Sequence, residues 1–521
     1  MSLLQPSRRS FMALAAAPFA RRIALGADAP VVTAETSFGK IRGVERDGIK
    51  IFKGVPYGAP TGGKNRFLPP VDPAPWAGVR DALEYGPTAP QTSPPPASQS
   101  EDCLVLNVWT PAINDGRKRP VMFWCHGGHF QSGSGSSPGQ DGTNLCRRGD
   151  VVVVTINHRL NALGFLYLAQ LGGPDFASSG AAGMLDIVHA LKWVNRNISE
   201  FGGDPGNVTI FGQSGGGRKV ETLLAMPSAK GLFHRAIIES GATMKLIDAA
   251  DAAAYAHSFL SSFDLKANQV RQLQNQPLEK IMEVYALSAK TFGAEKFSPA
   301  VDGKIIPQHP FYPAASSVSA DVPVMIGSTR TELTLSLRND EAAFHLDEAG
   351  MRSRVRQYLG DQTDRVIEVY RKANPQAAPS ELFFLIASDH EYSAPTMKIA
   401  ERRAALNRGP VYLYYFTWES PVEGGRLKSP HTIEIPFAFD NVKISSALTG
   451  GGAEAMALAD KVSDSWIAFA RTGDPNQPKL PHWPKYESTN RFTMVINNES
   501  RVEKDPIREQ RLAMFHALKL D

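Results

Sequence analysis

The stretch Asn207-Val208-Thr209-Ile210-Phe211-Gly212-Gln213-Ser214-Gly215-Gly216 decides how this chain is read. Its first half is an apolar, β-branched run and predicts a buried strand. Its second half is a Gly-x-Ser-x-Gly pattern. The following run, Arg218 to Met226, is long enough to start a helix. A strand that turns sharply into a helix leaves the residue at the turn strained, with its side chain projecting from the sheet edge. Glycines at 212, 215 and 216 let the backbone make that turn without Cβ clashes. Ser214 is therefore the candidate nucleophile, its hydroxyl exposed above a helix N-terminus.

Outward from this turn, strand-like and helix-like segments alternate. Leu104–Val108, Val121–Cys125, Val151–Asn157, Val322–Ile326 and Val411–Phe416 are short apolar runs of strand type. Gly183–Asn197 has helical spacing through Leu185, Val188, Leu191, Trp193 and Val194. This alternation predicts an α/β fold with a mostly parallel central sheet and helices on both faces. Thr33–Gly43 and Gly48–Val55 alternate apolar and polar residues and predict an N-terminal hairpin region. Pro and Gly dominate from Pro56 to Pro96, which predicts a loop-rich wrap. Two helical insertions, about 248–287 and 340–408, are expected over the C-terminal edge of the sheet, where they would shape a pocket. Gly450–Ala453 reads as a loop, Val462–Ala470 as a helix, and the remainder as a polar tail.

Of the 521 residues, 42% are hydrophobic and 21% charged, an ordinary globular balance. The formal net charge is +4, and Arg8, Arg9, Arg21 and Arg22 supply four positive charges in the first 26 residues, which hold no acid. Without that segment the balance is 4 − 4 = 0, so no charge excess argues for nucleic acid. Ser7-Arg8-Arg9-Ser10-Phe11-Met12 resembles a twin-arginine motif, followed by the small apolar run Ala13–Ala20. Residues 1–26 are read as an export signal, although Arg21-Arg22 interrupts its apolar part. Residues 27–521 are read as one catalytic domain, periplasmic or secreted. No later run reaches 18 uninterrupted apolar residues, so no membrane span is expected. Three cysteines, Cys103, Cys125 and Cys146, make no disulfide framework.

Acyl transfer needs a base, a group that orients it, and donors for a developing oxyanion besides the nucleophile. The loop Cys125-His126-Gly127-Gly128-His129-Phe130 directly follows a predicted strand. Backbone N–H groups of Gly127, Gly128 and His129, with that of Gly215, are candidate oxyanion donors. His431, downstream of the strand Val411–Phe416, is the candidate base. Glu332, a few residues past Val322–Ile326, is the candidate orienting acid; a solvated loop carboxylate is its alternative.

These blocks resemble the type-B carboxylesterase family, which includes bacterial carboxylesterases and the cholinesterases. Phe201-Gly202-Gly203 with Gly212–Gly216 is similar to the family's serine signature, and Glu101–Val108 to its second signature. Phe52–Tyr57, Arg66-Phe67, Asn157–Leu160, Leu163–Phe165 and Phe469–Pro475 are further family-like blocks. The resemblance implies an α/β-hydrolase fold and a Ser214-Glu332-His431 triad. It implies hydrolysis of a small-molecule carboxylic ester through an acyl-enzyme, with no metal or organic cofactor. Four departures bear on specificity. His129 stands where a third glycine is usual and would put an imidazole, beside Phe130, in the pocket mouth. Gln213 replaces the usual glutamate, which should weaken binding of cationic substrates. Arg218 is bulky where small residues are common: it is either a structural ion-pair partner or a contact for an anionic acyl group. Ala89 stands where relatives often have the cysteine that pairs with Cys103, so that disulfide should be absent. An esterase for polyanionic, polycarboxylic esters is the alternative within enzymes. A non-catalytic binding relative is the alternative outside them, because the fold also hosts adhesion proteins.

Two other motifs fail on context. Gly58–Asn65 nearly spells a phosphate-binding loop, but it ends in Asn and runs into Pro69-Pro70. Cys125, His126 and His129 lack the spaced second pair of a zinc site.

Overall fold

The computed structural model describes residues 30–92 and 98–520. The arginine-rich leader lies outside them. In chain order the strands are β1 (Val31–Thr36), β2 (Gly39–Arg46), β3 (Ile49–Pro56), β4 (Val79–Asp81) and β5 (Val105–Thr110). Next come β6 (Arg119–Cys125), β7 (Val152–Ile156), β8 (Gly203–Gln213), β9 (Arg235–Glu239), β10 (Ile247–Asp248) and β11 (Ala300–Val301). The last four are β12 (Val324–Thr329), β13 (Val411–Phe416), β14 (Phe492–Ile496) and β15 (Arg501–Lys504). Among the described residues, thirteen form one sheet in the order β1-β2-β3-β5-β7-β6-β8-β9-β12-β13-β14-β15, with β4 beside β2; β10 and β11 pair separately.

Every neighbouring pair from β7 to β14 is parallel; the flanking pairs in that order are antiparallel, and β4 lies parallel to β2. The parallel strands read as unbroken apolar runs because both faces are covered. Alternation along β6 shows this. Val121, Phe123 and Cys125 enter the core that holds the helix Ala182–Asn197. Met122 and Trp124 enter the opposite core, against the helix Ala453–Thr472. The predicted α/β architecture is the one observed.

Three expectations need correction. The C-terminal segment is no polar tail: it supplies β14, β15 and the helix Arg508–Leu518. The helix expected at Val462–Ala470 starts at Ala453, directly after the glycines. The first insertion continues as the helix Leu278–Phe292, past its expected end. All three cysteines are buried and unpaired. No helix among the described residues is long and apolar enough to cross a membrane.

Candidate active site

Ser214 follows the last residue of β8 and precedes the helix Gly215–Leu223. Its φ of 58° and ψ of −122° lie where side chains are strained, at a cost of about 1–3 kcal/mol. Hydrogen bonds hold it there: its N–H donates to Glu239 O at 2.8 Å, and its carbonyl accepts from Arg218 N–H at 2.9 Å. The neighbouring glycines are required by packing. A Cβ on Gly212 would lie 2.6 Å from Cys125 O, and one on Gly216 would overlap the same carbonyl. A Cβ on Gly215 would overlap the backbone of His129. The helix of the serine is thus seated directly on the end of β6 and the loop after it.

That loop is tightly bent. Gly128 has φ 87°, and His129 has φ 54°, in the left-handed region that a non-glycine residue occupies at a cost. A Cβ on Gly127 would lie 3.1 Å from Gln213 O and 3.8 Å from Ser214 Cβ, so the loop packs on the candidate nucleophile. The His129 imidazole is half-buried. Burial, then the positive charges of Arg218, His431 and Lys219, pushes it down to about 3 and keeps it neutral. Phe130 is buried and stacks edge-on against Phe165 at 5.1 Å.

Glu332 and His431 meet. Glu332 follows the C-terminal end of β12, and its fully buried carboxylate accepts from His431 Nδ1 through Oε2. Its Oε1 accepts from the Thr329 N–H and the Ser240 hydroxyl, both at 2.7 Å. The alternative of a solvated loop carboxylate is therefore excluded by burial. With Nδ1 donating, the His431 Nε2 carries the lone pair a general base needs. No hydrogen bond joins Ser214 Oγ to the imidazole among the described residues. Instead, Gln213 Nε2 lies 3.3 Å from each ring nitrogen. Tyr392 packs over the same ring at 4.9 Å between centroids.

Behind this pair stands a layer of buried acids that the sequence reading missed. Glu434 Oε1 lies 3.0 Å from Ser240 Oγ. Burial, then repulsion from Glu332 and Glu239, raises its carboxyl well above the usual range. Ser240 has one hydroxyl proton, which goes to Glu332; the protonated Glu434 supplies its own to Ser240 Oγ. Glu239 accepts from Trp466 Nε1 at 2.7 Å, and burial pushes it up to about 7.

Arg218 is half-buried. It forms no ion pair among the described residues, so the structural ion-pair alternative falls; its Nε donates to Gly241 O at 3.1 Å. Among the described residues no cluster of three or more His, Cys, Asp or Glu side chains could hold a metal.

The profile of the carboxylesterase family matches residues 28–515. The chain is 35% identical to the para-nitrobenzyl esterase of Bacillus subtilis (strain 168) over 497 residues, 92% of this chain and 98% of that one. It is 33% identical to the phenmedipham hydrolase of Pseudarthrobacter oxydans over 504 residues, again 92% and 98% of the two chains. A crystal structure of a Geobacillus stearothermophilus carboxylesterase superposes with a TM-score of 0.82 at 37% identity, covering 92% of this chain and 99% of that one. The chain belongs to the carboxylesterase family, whose members hydrolyse carboxylic esters on an α/β-hydrolase fold.

Proposed function

We propose that hydrolysis runs through Ser214, His431 and Glu332, with the backbone N–H groups of Gly127, Gly128, His129 and Gly215 as oxyanion donors. The observation that carries this reading is the Glu332–His431 hydrogen bond at the sheet edge where Ser214 holds its strained turn. As a substrate carbonyl enters, the Ser214 hydroxyl replaces the Gln213 amide at His431 Nε2; hydrogen bonds at such centres tighten on substrate binding. Oγ then attacks the carbonyl carbon while Nε2 takes its proton. The carbonyl π pair moves onto oxygen, and the N–H donors stabilise that charge by about 2.7–4 kcal/mol each. Glu332 holds the tautomer and stabilises the imidazolium. Collapse expels the alcohol, which leaves with the proton from His431, and water repeats the sequence on the acyl-enzyme. Residues 27–521 act as one catalytic domain, exported by the leader to the periplasm or beyond.

A second reading concerns the substrate. The Arg218 guanidinium makes no ion pair among the described residues, and Glu221, His129 and Tyr392 all feel its charge. This favours esters that carry further carboxylates, with Arg218 meeting the anion and Gln213 leaving the site without a competing negative charge. The test is turnover of p-nitrophenyl acetate and of matched neutral and carboxylate-bearing esters by the wild type and Ser214→Ala. Ser214→Ala should lose about 10⁶-fold in kcat on every ester. Equal activity in the two proteins would end the Ser214 reading, and equal kcat/KM across the charged and neutral esters would end the second.

A further inference from the structure

Ester hydrolysis as derived above leaves Lys219 without a task, although it is one of the most costly side chains in the molecule. It lies on the helix Gly215–Leu223 and is fully buried. It has no carboxylate partner among the described residues. Its Nζ makes one hydrogen bond, donated at 2.7 Å to the carbonyl of His126, and sits 5.9 Å from the centre of the Phe130 ring. Burial pulls the ammonium down to about 7, because a charge taken out of water without a counter-charge is disfavoured. An unpaired buried cation is not retained for stability.

Its surroundings are neutral. Cys125, from the end of β6, has its thiol pushed up to about 12 by burial. His126 and His158 stack at 4.8 Å, and burial followed by the charge of Lys219 keeps both well below the usual imidazole range. Each donates through Nδ1 to a backbone carbonyl, His126 to Gly127 O at 2.8 Å and His158 to Arg159 O at 2.7 Å. Their Nε2 atoms are left as buried lone pairs without a partner among the described residues. What the charge does touch is the carbonyl immediately before Gly127-Gly128-His129.

We propose that Lys219 is a positioning residue for the oxyanion loop: its buried Nζ grips the His126 carbonyl and keeps Gly127–His129 docked on Ser214. The proposal rests on the reading of that loop as the oxyanion hole. It joins the helix of the nucleophile to the loop of the donors by one hydrogen bond. The loop's position therefore follows the serine's.

The experiment compares the wild type with Lys219→Met and Lys219→Gln on p-nitrophenyl acetate, with a trifluoromethyl ketone as transition-state analogue and the thermal midpoint of each protein. Lys219→Met should lower kcat roughly ten- to hundred-fold and weaken the ketone in parallel. KM should stay within about two-fold, and Tm should hold or rise, since an unpaired buried cation has been removed. Lys219→Gln keeps a donor for the carbonyl and should recover part of the lost kcat; it also carries the test should the Met variant fail to fold. Wild-type kcat in both variants, or a fall in Tm and a rise in KM with no selective loss of ketone binding, would overturn the proposal. A phosphonate label on Ser214 separates the two readings. If the wild type takes none, the oxyanion-hole reading fails and this proposal with it. If it labels while the variants keep full kcat, only the proposal on Lys219 fails.

Discussion

On the Ser214 side of the site, backbones meet where side chains are missing: Gly212 and Gly216 press on Cys125 O, and Gly215 presses on His129. On the His431 side the opposite holds. Three buried polar side chains, Glu332, Ser240 and Glu434, form a hydrogen-bonded chain from one imidazole, and the buried Glu239 adds its repulsion to Glu434. The first half fixes geometry by steric exclusion, which is insensitive to pH and salt. The second fixes orientation and charge by hydrogen bonds among acids that cannot all ionise together. A serine esterase needs both, because the nucleophile requires a place and the base requires a tautomer.

Glu332→Gln should break the charged half most severely. The amide fits the same space, but it removes the negative charge opposite the imidazolium and can donate to Nδ1, which reverses the useful tautomer. A loss of about 10⁴-fold in kcat is expected, with KM little changed. Steady-state kinetics on p-nitrophenyl acetate measures it, and a loss below ten-fold would mean that the carboxylate does not serve the base.

Gly216→Ala probes the steric half. Its Cβ would overlap a backbone carbonyl, so either the helix or the end of β6 must move. Overpacking of this kind costs about 1–3 kcal/mol or more. The loop proposed to carry the oxyanion donors would move with β6, so kcat should fall by roughly 10²-fold alongside a lower Tm. Retention of both would show that the close approach at Gly216 is dispensable. The two variants also separate the halves: Glu332→Gln should leave Tm nearly intact, whereas Gly216→Ala should not.

The same division explains what the sequence reveals. Steric exclusion by glycine is local, so Gly212–Gly216 and Gly127-Gly128 can be read as written, together with the strands that precede them. The acid layer is not local. Glu239 ends β9 and Ser240 follows it; β9 is a short apolar run flanked by charges that gives little periodic signal. Glu434 stands three residues after His431, yet a lone glutamate reads as a surface residue until burial is known. A lone lysine such as Lys219 reads the same way. Tyr392 comes from a π-helical turn, Asp389–Ser393, inside an insertion whose sequence says only that it is helical. The C-terminal strand β14 was hidden among Asn490, Arg491, Asn497 and Asn498, because an edge region of a sheet can be polar around a short buried run.

The acid layer also carries a stability cost that the steric half lacks, and Glu239→Gln measures it. Glu239 does not touch His431; it binds Trp466 through Oε1, and a glutamine can accept the same hydrogen bond. In the folded protein its carboxyl is held up to about 7, against 4.5 when unperturbed. Between those values the folded state keeps a proton that the unfolded state has lost, so its contribution to stability falls as pH rises from about 4.5 to about 7. Above that range the loss is complete, on the order of 3 kcal/mol for a fully buried group. Glutamine does not titrate. Thermal unfolding should therefore show little difference between Glu239→Gln and the wild type near pH 4.5. The variant should gain Tm through pH 5–7 and hold a constant advantage of a few degrees at pH 8. Turnover should stay within about two-fold, since neither the base nor the nucleophile loses a partner. A Tm difference that does not vary with pH would mean that Glu239 keeps one protonation state in folded and unfolded chains alike. The layer would then orient Glu332 by shape alone, as the glycines orient Ser214.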